Sequence, residues 1–184
     1  LFVHYGKVLS GSVKIKDNVE MKIDEDRRND TRAYHSATHL LHESLRRVLG
    51  DHVTQKGSLV EPSRLRFDFS HIKPISNEDV EKIETFVNSM VAKKTEVRTR
   101  LMTPDEAVKN GALALFGEKY GDEVRVLSMG DESGKYFSTE LCGGTHVKNT
   151  GDIGKFKIIS QSSIAAGVRR IEALRDKQLD EYLK

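Results

Sequence analysis

Two short stretches hold most of the residues able to do chemistry. In His35-Ser36-Ala37-Thr38-His39 two imidazoles stand four residues apart. On a helix that spacing puts them on one face, where they can grip one metal ion without bending the backbone. Farther on, Cys142-Gly143-Gly144-Thr145-His146 sets the single cysteine four residues from a third imidazole, around a Gly-Gly turn. Glycines let the backbone fold tightly enough for both side chains to converge. Three nitrogens and one sulfur make a donor set suited to Zn²⁺. A metal reading therefore requires the donors of His35, His39, Cys142 and His146 to lie within roughly 4 Å of a common point. The spacing matches no zinc finger, and Ser36 follows His35 where a metalloprotease helix carries Glu. Three other readings compete. His42 extends the same helical face, which suits a His-rich surface helix. Cys142 suits a buried apolar filler. It also suits a nucleophile with His146 as base, although the sequence offers no obvious third, orienting group. Gly130 to Lys135 has the wrong spacing for a phosphate loop, and Tyr136 stands where Ser or Thr is needed.

The elements that must position these groups are of mixed type. His35 to Leu49 reads as a helix: Ala37, Leu41, Leu45 and Val48 fall on one face and Gly50 ends it. Arg64 to Ser70 alternates as a strand, with Leu65, Phe67 and Phe69 pointing one way. Ser76 caps a second helix whose inward face carries Val80, Ile83 and Val87. Thr103-Pro104-Asp105-Glu106 opens a third, with a cap, a first-turn Pro and a Glu three residues past the cap. Strands are expected at Glu123–Met129, Tyr136–Leu141, Lys155–Gln161 and Val168–Leu174, with Gly130–Lys135 as a turn. Residues 1–25 read as two or three short strands left from a neighbouring small β-domain, and Asp24 to Asp30 as a solvated connection. Long helices among short strands predict an α+β fold, with helices packed on a mostly antiparallel sheet.

Composition narrows the classes. The 184 residues carry 30 Lys+Arg against 28 Asp+Glu, a net charge of +2, so purely electrostatic, histone-like binding to nucleic acid is excluded while a local basic face is not. Apolar runs reach only four to five residues, as in Ala112–Phe116, too short to span a bilayer. One cysteine excludes an internal disulfide framework and fits a reducing cytoplasm. The opening Leu1-Phe2-Val3-His4-Tyr5-Gly6-Lys7-Val8 reads as a strand entered midway, without signal-peptide character. The chain is expected to be a segment of a longer protein.

Several stretches, in order, resemble the editing domain of alanyl-tRNA synthetases. They are His35 to His42, Leu49 to Val60, Leu65 to His71, Ala114 to Tyr120, Glu140 to His146 and Ala166 to Glu172. The resemblance implies the α+β editing fold shared with threonyl-tRNA synthetases and free-standing editing proteins, over residues 31–175. Residues 1–30 would then be the end of a preceding β-barrel with its connection, and 176–184 the start of a linker helix. No aminoacylation core is present. The implied activity is hydrolysis of the ester that joins serine or glycine to the 3′ end of tRNA-Ala. The implied partners are mischarged tRNA-Ala and, in cis, the rest of the synthetase. A site sized for alanine admits glycine and rejects serine only weakly, so a second sieve is needed. His35, His39, Cys142 and His146 match the family's zinc ligands. Thr38 and Gln55 match residues that face the substrate, and the amides of Gly143 and Gly144 could meet an oxyanion or the terminal adenosine. Arg169 and Arg170 are potential tRNA contacts, with an ion-paired face as the alternative. The rival class is a non-catalytic tRNA-binding module with a structural zinc.

Overall fold

The computed structural model describes residues 3–113 and 121–184. Its spine is a 25-residue helix, α1 (Glu25–Leu49). Asp24 caps it by accepting from the Arg27 amide, Glu25 and Asp26 occupy its positive end, and Arg46 and Arg47 its negative end. The chain breaks at Gly50, whose φ of 117° disfavours any other residue. Tyr34, Ala37, Leu40, Leu41 and Leu45 form its buried face. Its buried hydroxyls are not left dry: Ser36, Thr38 and Ser44 donate to the carbonyls of Arg32, Tyr34 and Leu40.

Two antiparallel sheets flank this helix. The first contains β1 (Gln55–Glu61), β2 (Arg64–Ser70), β6 (Phe156–Ala165) and β7 (Val168–Arg175), in the order β1-β2-β7-β6. The second is β3 (Arg98–Met102), β4 (Val124–Glu132) and β5 (Lys135–Leu141), in sequence order. Helix α2 (Asn77–Ala92), capped by Ser76, packs on α1, and α3 (Pro104–Lys109) carries a full capping box from Thr103 and Glu106. A 3₁₀ turn (Thr150–Ile153) and α4 (Asp176–Tyr182) complete the described elements. The main core joins Leu40, Leu41 and Leu45 of α1 to Phe67 and Phe69 of β2, Ile171 of β7, and Ile83 and Val87 of α2. The α+β expectation is met. Among the described residues no helix is long and apolar enough to cross a membrane.

Three local expectations need correction. Residues 3–24 form no strand, and Val8, Val13, Val19 and Ile23 lie exposed; alternation cannot make a strand without a neighbouring edge to bond. The charged stretch after Asp24 is no connection but the opening turns of α1, held by the 2.9 Å ion pair of Asp30 with buried Arg175. A division at residue 30 would therefore cut a continuous helix. The turn after β4 is also tighter than Gly130–Lys135. Ser133 and Gly134, at φ of 58° and 92°, form a two-residue hairpin loop of the primed type, so the strand runs on to Glu132.

Candidate metal centre

His35 and His39 come one helical turn apart from α1, and Cys142 and His146 from the loop that follows β5. The loop is tied to both neighbours. Val147 donates its amide to buried Ser36 Oγ on α1, and the Cys142 amide donates to the Arg125 carbonyl on β4. The Arg125 guanidinium returns hydrogen bonds to the carbonyls of Cys142 and Gly144.

The four donors converge as the spacing predicts. One donor atom from each side chain lies within 4.8 Å of every other. Cys142 Sγ is 3.5 Å from His35 Nε2, and His146 Nε2 is 3.3 Å from His39 Nε2. A tetrahedral zinc with its usual bond lengths needs edges of roughly 3.3 Å between nitrogens and roughly 3.6 Å between nitrogen and sulfur. Both of those edges fit. The rings are also held from behind. His39 Nδ1 donates to Glu140 Oε2 at 2.8 Å and His35 Nδ1 to the Thr145 carbonyl at 3.1 Å. Each bond fixes the tautomer that leaves Nε2 free to bind a cation.

The electrostatics agree with this arrangement. Burial alone pushes the Cys142 thiol up, yet the His146, His35 and His39 imidazoles beside it hold it at about 3, in the thiolate range. Burial alone lowers His39, but the Glu140 carboxylate and the Cys142 thiolate push it up to about 10. Burial likewise works against ionised Glu140, and His39 and His42 hold it well below the usual carboxylate range. Without metal, then, a proton on His39 offsets these anions; a cation on Nε2 would displace that proton.

Several site readings change on inspection. The two glycines of the loop differ. A Cβ on Gly144 would collide with the His35 ring at Cε1, while one on Gly143 would meet nothing within 4 Å, and neither has a positive φ. Gly144 is therefore required by the approach of the His35 ring, and the tight-turn argument holds for neither. His42 is not on a surface helix. It is 2% exposed, packs on Phe67, and brings Nδ1 to 3.2 Å from Glu140 Oε1 without a well-aligned N–H. The sequence reading missed Glu140, a carboxylate two residues before Cys142; it orients His39 rather than His146, so among the described residues the Cys142–His146 pair gains no orienting third group from it. Arg125 was also missed, since nothing local marks an arginine on a neighbouring strand.

Beside the donors lies a cavity of about 110 Å³, bounded by Thr38, Gln55, Ser58, His42 and Phe67 together with His35, His39 and Cys142. The structure thus brings Thr38 and Gln55 to the metal centre. Arg169 and Arg170 are not at that cavity. Arg170 makes two hydrogen bonds to Asp68, at 2.7 and 2.9 Å, and holds its carboxyl below the ordinary range, while Arg169 donates to Gln161. The stretch Ala114 to Tyr120 lies outside the described residues.

Known proteins match this chain on both its halves. The family described as threonyl and alanyl tRNA synthetase second additional domain matches residues 124–172, from β4 to β7. The alanine–tRNA ligases of Parvibaculum lavamentivorans, Mesorhizobium japonicum and a Chelativorans species are 62%, 59% and 58% identical over the whole chain. The α+β fold and these matches are those of a fragment that carries the second additional domain of the threonyl and alanyl tRNA synthetases. Within that class the chain belongs with the alanyl-tRNA synthetases, as its motifs implied, and it spans about 21% of the length of the relatives it matches.

Proposed function

We propose that the domain is a zinc-associated deacylase. It would hydrolyse the aminoacyl ester of tRNA-Ala mischarged with serine or glycine, in the cytoplasm and in cis with the rest of a synthetase. The observation that carries this reading is the meeting of four metal donors with a small polar cavity that contains Thr38 and Gln55. His35, His39, Cys142 and His146 would hold the ion, which supplies Lewis acidity toward the ester or its attacking water. The chain's own groups do the sorting. Thr38 Oγ1 spends its proton on the Tyr34 carbonyl at 2.9 Å, so only its lone pairs face a ligand. It therefore accepts from the serine hydroxyl, a donor that alanine lacks. Alanine would leave the lone pairs of that oxygen without a donor. Gln55, at the head of β1, makes no side-chain hydrogen bond to another described residue, so its amide is available to hold water or substrate.

The test is single-turnover hydrolysis of Ser-tRNA-Ala and Ala-tRNA-Ala, with metal content measured in parallel. Wild type is expected to favour the seryl ester strongly. Thr38→Val keeps the shape and should narrow that preference by roughly tenfold, the equivalent of about 1.4 kcal/mol, with zinc retained. An unchanged ratio would move discrimination to Gln55 or the ion. One observation favours the rival, a structural zinc in a tRNA-binding module: four protein donors already fill a tetrahedron. Absence of turnover on both esters, with zinc bound, would decide for that rival.

A further inference from the structure

The loop that carries Cys142 and His146 has a second cavity on it. This one measures about 300 Å³ and is lined by Thr99, Arg125, Gly144, His146 and Lys148, among others. Its lining includes two cations and no carboxylate. Lys148 is exposed, and among the described residues its ammonium has no ion pair or hydrogen bond. The Arg125 guanidinium is fixed by the carbonyls of Cys142 and Gly144, so its charge is held at the cavity wall rather than swept through solvent. His146 belongs to this cavity and, by its Nε2, to the donor cluster. The two cavities share no lining residue but lie on one loop, Cys142 lining the smaller and His146 the larger, and they differ in size and charge.

Resting on the deacylase reading, the substrate's parts can be assigned to the two spaces. An ester held at the donors has a small amino acid on one side and a nucleotide with its phosphate on the other. Small-molecule sites begin at about 300 Å³, so the 110 Å³ space beside Thr38 takes only the amino acid. We propose that the Arg125–Lys148 cavity seats the 3′-terminal nucleotide of the tRNA, with Lys148 and Arg125 on its phosphate. The chemistry is the usual one for phosphates: a flexible ammonium and an oriented guanidinium facing one anion.

The test has one arm that needs no catalysis. Binding of a short unacylated RNA ending in CCA is followed against salt for wild type, Lys148→Glu and Lys148→Arg, with metal content checked. Lys148→Glu should weaken binding tenfold or more and flatten the salt slope by about one unit, and Lys148→Arg should restore most of it. A second arm compares seryl esters of a terminal nucleoside with and without its 5′-phosphate. Wild type should show a lower KM for the phosphorylated ester, and Lys148→Ala should lose several-fold of that advantage. RNA affinity and salt slope that ignore both Lys148 variants would overturn the assignment. A wild type that binds RNA in a Lys148-dependent way yet cleaves no ester would sink the deacylase reading alone.

Discussion

Two places in this molecule bring histidine nitrogens close together, and only one gathers further donors that could hold a cation. At the donor cluster His39 and His146 approach to 3.3 Å, and at the surface His52 Nε2 and His71 Nδ1 approach to 2.9 Å. Distance alone would rank the second pair higher. The difference lies in what surrounds them. Behind His39 stands a buried carboxylate and behind His35 a carbonyl, and a thiolate completes the set. The rings of His52 and His71 stack 5.2 Å apart on an exposed edge, and among the described residues no third metal-binding group joins them. Ligand convergence and oriented tautomers, rather than imidazole proximity, mark a metal site.

The comparison breaks most sharply if a donor is removed. Cys142→Ala should cost zinc affinity by more than the roughly 10–100-fold expected from losing an outer hydrogen bond, and deacylation should fall with metal occupancy. Elemental analysis and a competitive chelator titration measure the first. Full deacylation by a metal-free variant would show that the ion is not part of the chemistry. The same measurements applied to His52→Ala should show no change in zinc content.

The Gly-Gly turn offers a contrast inside a single motif. Gly144→Ala drives a methyl into the His35 ring, so that ring must leave its place, and zinc binding should collapse nearly as far as in Cys142→Ala. Gly143→Ala meets open space and should bind zinc like wild type. Equal metal content in the two variants would show that the loop adjusts more than its two anchors allow.

Most of what could be read from the sequence was local. Helix caps at Ser76 and Thr103, the alternation of Leu65, Phe67 and Phe69, and each half of the donor set depend on residues a few positions apart. What escaped depends on long-range placement. Residue 140 meets residue 39 only because β5 lies along α1, and no local pattern announces that. Strand β3 is a run of exposed Arg98, Thr99 and Arg100, whose ladder with β4 sets its conformation in place of side-chain burial. The first turns of α1 looked like a solvated link because their charges were read as solubility. They fit equally well as caps and dipole partners, and Arg175, 145 residues away, holds one of them.

Glu140→Gln tests the support behind the ligands. The amide keeps the shape and its oxygen can still accept from His39 Nδ1, but it lacks the charge and can also present an N–H, so the His39 tautomer is no longer fixed. Zinc affinity should drop by roughly 10–100-fold, less than for a lost donor, with the fold intact. No change in affinity would mean that the four donors suffice and that the Glu140–His39 bond adds nothing to metal binding.

The smallest effect belongs to the surface pair and runs through pH. Burial lowers the His71 pKa below its ordinary 6.5, and the nearby charges of His52, Arg169 and Lys73 lower it further, against Asp79. Well above pH 6.5 both folded and unfolded chains hold His71 neutral, and it contributes nothing to pH dependence. As pH falls through 6.5 the unfolded chain takes up its proton first, so folding loses stability, and the loss levels off below the folded-state pKa. His71→Gln abolishes this titration. The variant should lose less stability than wild type between pH 7.5 and 5, by under about 0.5 kcal/mol, because the pair is open to solvent and screened. Chemical denaturation at the two pH values reads the difference. His52→Gln should act in the same direction but more weakly, since it removes one of the neighbouring charges and leaves the burial. A larger acid loss in His71→Gln than in wild type would reverse the sign. The exposed pair would then bind its proton more tightly in the folded state, as a stacked ring over a carboxylate would.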